Sequence, residues 1–274
     1  MADTTIRIEP FLLDSPRGPL FCIYVSPADQ APKGAVLYLH PFAEEMHKSR
    51  RMVALQARAM AAQGYAVLQI DLTGCGDSAG DFSDASWSVW LDDARLGHAW
   101  LFEKTAQPIT LWGLRTGALL ATDLAQRLQD VRSLLLWQPV SDGSLFLNQF
   151  LRIKLASEML AEGQSRSGTK DLLAQLQSGQ GVEVGGNMLS SAMARELGSI
   201  KLAGMAPKCP VTWLEVGAQA SPGVTPASQR IVDAWTTNGI PVQTRTVQGD
   251  PFWVTQEITE CPALIDATQS CLIR

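Results

Sequence analysis

The sequence predicts an α/β fold: a mostly parallel, doubly wound sheet carrying an inserted helical cap. Three observations lead there. Short apolar runs recur along the chain, each followed by a turn and a helix-like segment. Most of these runs are apolar on both alternating faces, as strands are when helices cover both sides of a parallel sheet. The alternation then stops between residues 141 and 207, although a further strand should arrive within about 30 residues if it simply continued.

In chain order, IRIEPFLL (6–13) and LFCIYV (20–25) read as an antiparallel pair divided by the turn DSPRG, placed at one edge of the sheet. The core strands are GAVLYLH (34–40), YAVLQID (65–71), PITLWG (108–113), RSLLLWQP (132–139), PVTWLEV (210–216) and VQTRTV (242–247). Among the helices, 86–104 is the clearest: Trp87, Trp90, Leu91, Ala94 and Leu101 repeat at helical spacing, with Asp92, Asp93 and Arg95 on the other side. Asp84 or Ser86 can cap its start. The expected core is therefore 1–140 plus 208–274, and 141–207 is the cap. The cap holds an amphipathic helix (145–160), the polar joints GQSRSG (163–168) and SGQG (178–181) around DLLAQLQ, and a helical piece near MLSSAMARELG. It would lie over the strand ends, where α/β folds place their clefts.

Composition narrows the function classes. The chain has 274 residues, 46% hydrophobic and 18% charged, enough for one large core. A net charge of −5 without a long Lys/Arg run argues against nucleic acid and anionic membrane as partners. The start MADTTIRIEPF lacks a basic stretch followed by an apolar one, and no window reaches the roughly 18 apolar residues of a spanning helix. A cytoplasmic protein with no membrane span is expected. Five cysteines, Cys22, Cys75, Cys209, Cys261 and Cys271, lack CxxC spacing, so reduced thiols are expected rather than disulfides or structural zinc. No cofactor or metal is expected.

The most informative stretch is LWGLRTGALLA (111–121). A strand meets Gly113-Leu114-Arg115-Thr116-Gly117 and then a helix, which is the context in which G-x-S-x-G forms a nucleophile elbow. Here Arg115 stands at the nucleophile position. Upstream, LHPF (39–42) ends a strand where a second oxyanion-hole N–H would come from Phe42 or Ala43, Pro41 having none; Thr116 would supply the first. Next, DLTGCGDSAGDF (71–82) has the form Asp-x-x-Gly-x-Gly-x-Ser.

These features, in this order, resemble the α/β-hydrolase superfamily from the first strands to the C-terminus. More closely, HPFAEEMHKSRRM, LQIDLTGCGDSAGDF, LWGLRTGALLA, LLLWQPV and DPFWVTQEITECPALI resemble the second of the hydrolase-like families associated with the exosortase A system. That resemblance implies an α/β-hydrolase fold and a place beside surface-protein sorting and exopolysaccharide gene clusters. Active superfamily members carry Ser, then Asp or Glu, then His in chain order. In this chain Ser is Arg115, the acid loop GAQASPGVTP (217–226) has no carboxylate, and Asp250-Pro251 occupies the histidine position. His40, His47 and His98 all precede the elbow.

A guanidinium stays protonated and has no acceptor atom, so Arg115 cannot act as nucleophile or general base. It suits an anion instead, beside the helix N-terminus that follows it. The expected ligand site comprises Arg115, Thr116, Phe42, Asp250 and Trp253, taking a carboxylate, phosphate or sulfate. The plainer expectation is an internal ion pair from Arg115 to Asp250, Glu44 or Glu45. A small anionic ligand and a protein partner both remain open, as does a homo-oligomer built on the cap.

His40, Glu44 and His47 are the candidates for an unconventional hydrolysis of an ester or thioester, with no spacing that fits a standard metal motif. Cys75 reads as a small packed thiol, Asp71, Asp77 and Ser78 as braces of their loop, and His98 as a core-edge residue. Phe252 and Trp253 either wall the cleft or fill it.

Overall fold

A computed structural model describes residues 5–162, 168–218 and 223–272. The chain opens with β1 (Ile6–Leu13) and β2 (Leu20–Pro27), followed by β3 (Gly34–Leu39), α1 (Glu44–Ala62), β4 (Tyr65–Ile70), α2 (Trp87–Thr105), β5 (Ile109–Leu114), α3 (Thr116–Arg127) and β6 (Val131–Trp137). Then come α4 (Gly143–Glu162), α5 (Thr169–Gln177), the short strands β7 (Val182–Val184) and β8 (Asn187–Leu189), and α6 (Ser191–Ser199). The chain returns to the sheet with β9 (Val211–Gly217), α7 (Pro226–Thr237), β10 (Val242–Gln248) and α8 (Pro262–Leu272).

Eight strands form one sheet in the order β1-β2-β4-β3-β5-β6-β9-β10. β1 pairs antiparallel with β2, and β2 antiparallel with β4; every later neighbour pair is parallel. This is the mostly parallel, doubly wound sheet that the apolar runs predict, in the α/β-hydrolase arrangement that the resemblance implies. The central runs β3, β4 and β5 are buried on both faces almost throughout, because helices lie on both; the edge strand β10 is only partly buried. On β3, Ala35, Leu37 and Leu39 join a core shared with α2, α3 and the α4–α6 region, whereas Val36 and Tyr38 join a second core closed by α1 and α8. No helix among the described residues is long and apolar enough to cross a membrane.

Local chemistry sets the boundaries. Ser86 caps α2, its side chain accepting from the Val89 N–H at 3.2 Å. Asp93 does not lie on an outer face as its spacing suggests. It is fully buried, and its carboxylate accepts the Thr73 N–H at 2.8 Å, tying α2 to the loop after β4. Burial raises its pKa above the ordinary carboxylate value.

Between β6 and β9, helices α4, α5 and α6 pack together beside the antiparallel β7–β8 hairpin. No periodicity in the sequence marks strands there; the hairpin turns at Gly185 and Gly186, both with positive φ, which glycine adopts without strain. The joint at 163–167 lies outside the described residues.

Candidate functional site

The turn after β5 keeps the geometry of a nucleophile elbow around a residue that is not a nucleophile. Arg115 has φ 57° and ψ −117°, a region that non-glycine residues occupy only where the surroundings enforce it. The enforcement is visible: the Arg115 N–H donates to the Trp137 carbonyl at 2.9 Å, and its own carbonyl accepts from Val140 at 3.2 Å and Ala118 at 3.1 Å. The two glycines permit the contact between helix and strand. A Cβ on Gly113 would come within 2.3 Å of the Gly117 carbonyl oxygen, and a Cβ on Gly117 within 2.1 Å of the Leu39 carbonyl oxygen. The start of α3 therefore rests against the end of β3.

That contact sets the start of α3, with Thr116, beside the Leu39–His40 backbone that leads on to Phe42. Neither the Phe42 nor the Thr116 backbone N–H has a hydrogen-bond partner among the described residues. The Thr116 hydroxyl is also buried without one. Phe42 is 1% exposed, and its ring meets Phe82, Phe146 and Phe150 edge to face at 5.0, 5.7 and 5.1 Å, seating α4 over the loop.

The Arg115 side chain pairs with Glu45, from the first turn of α1. Nε donates to the two carboxylate oxygens at 3.2 and 3.4 Å, and Nη2 donates to Oε1 at 3.1 Å. The two side chains are 18% and 14% exposed. Burial pushes the Glu45 carboxyl above the ordinary glutamate value, and the neighbouring Arg115 charge pulls it back. Trp253 lies 5.5 Å from the guanidinium carbon, presenting its ring to the cation. Arg115 Nη1 makes no hydrogen bond among the described residues.

The pair borders a cavity of about 380 Å³. Its apolar wall is Phe42, Phe146, Phe150, Ile153, Trp253 and Val254, and its charged groups are Arg115, Glu45, Glu44 and Lys48. Lys48 Nζ reaches the Val254 carbonyl at 3.4 Å, joining α1 to the segment after β10. The expected residues Phe42, Arg115 and Trp253 thus meet in one place, whereas Thr116, 1% exposed, is not among the lining residues. Asp250 does not: it is exposed and outside the cavity lining, because the turn after β10 points Asp250 outward and sends Phe252 into the core. Lys48 and the α4 residues were missed, although Phe146, Gln149, Phe150 and Ile153 follow helical i, i+3, i+4, i+7 spacing.

His40, Glu44 and His47 do not converge. Glu44 and His47 are exposed on α1, whereas His40 is 2% exposed beneath it. The Leu72 N–H donates to His40 Nε2 at 3.2 Å, so Nδ1 carries the ring proton and donates to the Pro41 carbonyl at 2.7 Å. Both ring nitrogens are committed to loop backbone. No group of three or more metal-ligating side chains is clustered among the described residues.

Burial lowers the His40 pKa below its ordinary 6.5. The unfolded chain then binds a proton that the folded one does not, and stability falls as pH drops below about 6.5. The stability difference between wild type and His40→Gln should accordingly narrow between about pH 7 and about pH 5 in urea unfolding. A pH-independent difference would contradict this assignment.

The loop expected to carry a triad acid is described only in part, residues 219–222 lying outside the described set. The nearby buried carboxylate, Glu215, sits on β9 and accepts from Trp213 Nε1 at 3.0 Å and from the Thr225 N–H at 2.8 Å. Cys75 is buried against the core, and burial raises its thiol pKa, leaving it far from a reactive thiolate. Asp71 accepts from Arg50 at 2.7 Å and from the Asp77 N–H at 3.3 Å, and Ser78 from the Phe21 N–H at 2.8 Å, all bracing the loop after β4.

Comparison with known families agrees with this geometry. The model of the family described as Serine aminopeptidase, S33 matches residues 30–166, half the chain. The chain belongs to that family. Among solved structures, Est1E from Butyrivibrio proteoclasticus with bound ferulic acid is similar at a TM-score of 0.72 and 16% identity, covering 96% of this chain and 98% of its own. A highly thermostable carboxyl esterase from Bacillus coagulans with glycerol is similar at 0.62 and 14%, over 98% and 96%. Alpha/beta hydrolase domain-containing protein 10 from mouse is similar at 0.56 and 15%, over 97% of each chain. At these identities the likeness is one of fold. No curated protein sequence matches. Within the S33 family's fold, this chain has arginine at the sharp turn where the serine of a G-x-S-x-G elbow stands.

Proposed function

We propose that this S33-family protein is a binding or accessory factor, with an anion site at the former nucleophile position in place of a serine triad. One observation carries the reading: Arg115 occupies the elbow conformation with its guanidinium on the border of a cavity and Nη1 unengaged among the described residues. A fixed charge there can hold a carboxylate, phosphate or sulfate with the Thr116 N–H, but it can accept no proton. The resemblance of its linked segments supports a role beside an exosortase-linked exopolysaccharide system in the cytoplasm.

The test is Arg115→Ser. No histidine follows the elbow in the chain, so the variant should hydrolyse p-nitrophenyl acetate no faster than the wild type. New esterase turnover would overturn the proposal. The alternative is hydrolysis of an ester or thioester through unconventional groups, which membership in a hydrolase family favours. Wild-type turnover of such substrates, lost in the Glu44→Gln or His47→Gln variant, would establish it.

A further inference from the structure

We infer that the ligand of the Arg115 cavity is a monocarboxylate with an apolar body, and that Glu45 occupies Arg115 in its place when the ligand is absent. The inference rests on the anion-site reading and narrows it to one chemical class. The Glu45 carboxylate already meets Nε and Nη2 of Arg115 at 3.1–3.4 Å. The guanidinium is thus held in the orientation that takes a planar carboxylate through paired donors.

The walls set the rest of the molecule. Beyond the pair, the lining is mostly apolar, with Phe42, Phe146, Phe150, Ile153, Trp253 and Val254 offering contact to a hydrocarbon chain or ring; Gln149, Glu44 and Lys48 are its remaining polar side chains, with the Trp253 indole N–H a further donor. The charges set its valence. Arg115 and Lys48 are balanced by Glu44 and Glu45, so release of Glu45 leaves room for one negative charge; a phosphate dianion would exceed it. Burial that favours the protonated Glu45 carboxyl makes its release from Arg115 less costly. A volume of about 380 Å³ lies at the small end of ligand sites, roughly 300–1,000 Å³, and suits a compact molecule.

Isothermal titration of the full chain with octanoate, octanol, acetate and phosphate tests this. Wild type should bind octanoate in preference to octanol. Glu45→Gln should bind octanoate about tenfold more tightly or better, since the competing charge is gone. Arg115→Met should lose the preference for octanoate over octanol. Should Arg115→Met fail to fold, Ile153→Asn, on a half-exposed position of α4, serves in its place: octanoate affinity should fall about three- to tenfold while acetate binding stays the same. Octanol binding as tightly as octanoate, or Glu45→Gln leaving octanoate affinity unchanged, would overturn the inference. Arg115-dependent binding of acetate or phosphate with no gain for octanoate would sink this inference and leave the anion site standing; no Arg115-dependent binding of any anion would sink both.

Discussion

Gly117→Ala is expected to destabilise the protein by at least about 3–5 kcal/mol, enough to leave much of it unfolded in a domain whose total stability is of order 5–15 kcal/mol. The added Cβ would lie 2.1 Å from the Leu39 carbonyl oxygen and 2.6 Å from that of His40. Both atoms belong to backbone held in or beside the central strand β3, so neither can yield as a flexible side chain would. Gly204→Ala is the control: an added Cβ there meets nothing within 4 Å and φ lies outside the left-handed region, so the change should be nearly neutral. Urea unfolding of the two variants decides it, and equal midpoints would show that the close approach of α3 to β3 is not what fixes the elbow.

The second large effect concerns the ion pair. Glu45→Leu removes the partner of a guanidinium that is 18% exposed. Breaking a fully buried pair costs about 3–5 kcal/mol; the residual exposure and the nearby Trp253 ring reduce this to an expected ~2–4 kcal/mol. Converting both residues, Glu45→Leu with Arg115→Leu, should restore most of the loss, because two apolar side chains in an apolar cavity leave no uncompensated charge. A double variant as unstable as the single one would mean that Glu45 contributes by packing rather than by pairing with Arg115. Paired with the titration above, this cycle separates what the residues do for the fold from what they do for a ligand.

Much of this architecture was legible in the sequence because its core strands are continuous apolar runs, and such runs demand cover on both faces. GAVLYL, YAVLQI and ITLWG each fix a strand almost to the residue. The elbow was legible for another reason: Gly113 and Gly117 flank Arg115 at the spacing that a tight strand-to-helix turn requires. What the sequence left open were contacts between distant segments. Asp250, Glu44 and Glu45 were equivalent candidates for Arg115 until the fold turned Asp250 outward and the first turn of α1 carried Glu45 inward, across a separation of 70 residues. Asp93 has the polar neighbours Asp92 and Arg95 of an outer face, yet it is buried, its carboxylate accepting the Thr73 N–H of the adjacent loop. The β7–β8 hairpin was too short for periodicity to register, although its Gly-Gly turn was a usable signal.

The proposed anion site requires Arg115 to be a recognition group rather than only half of a structural pair. A crystal structure grown in acetate, with a parallel crystal in phosphate, tests that most directly. Acetate on the Arg115 guanidinium, with the Glu45 carboxylate swung away, is the expected result. An intact Arg115–Glu45 pair at saturating acetate and phosphate, with no anion in the cavity, would contradict it and leave Arg115 and its turn a structural feature of the fold.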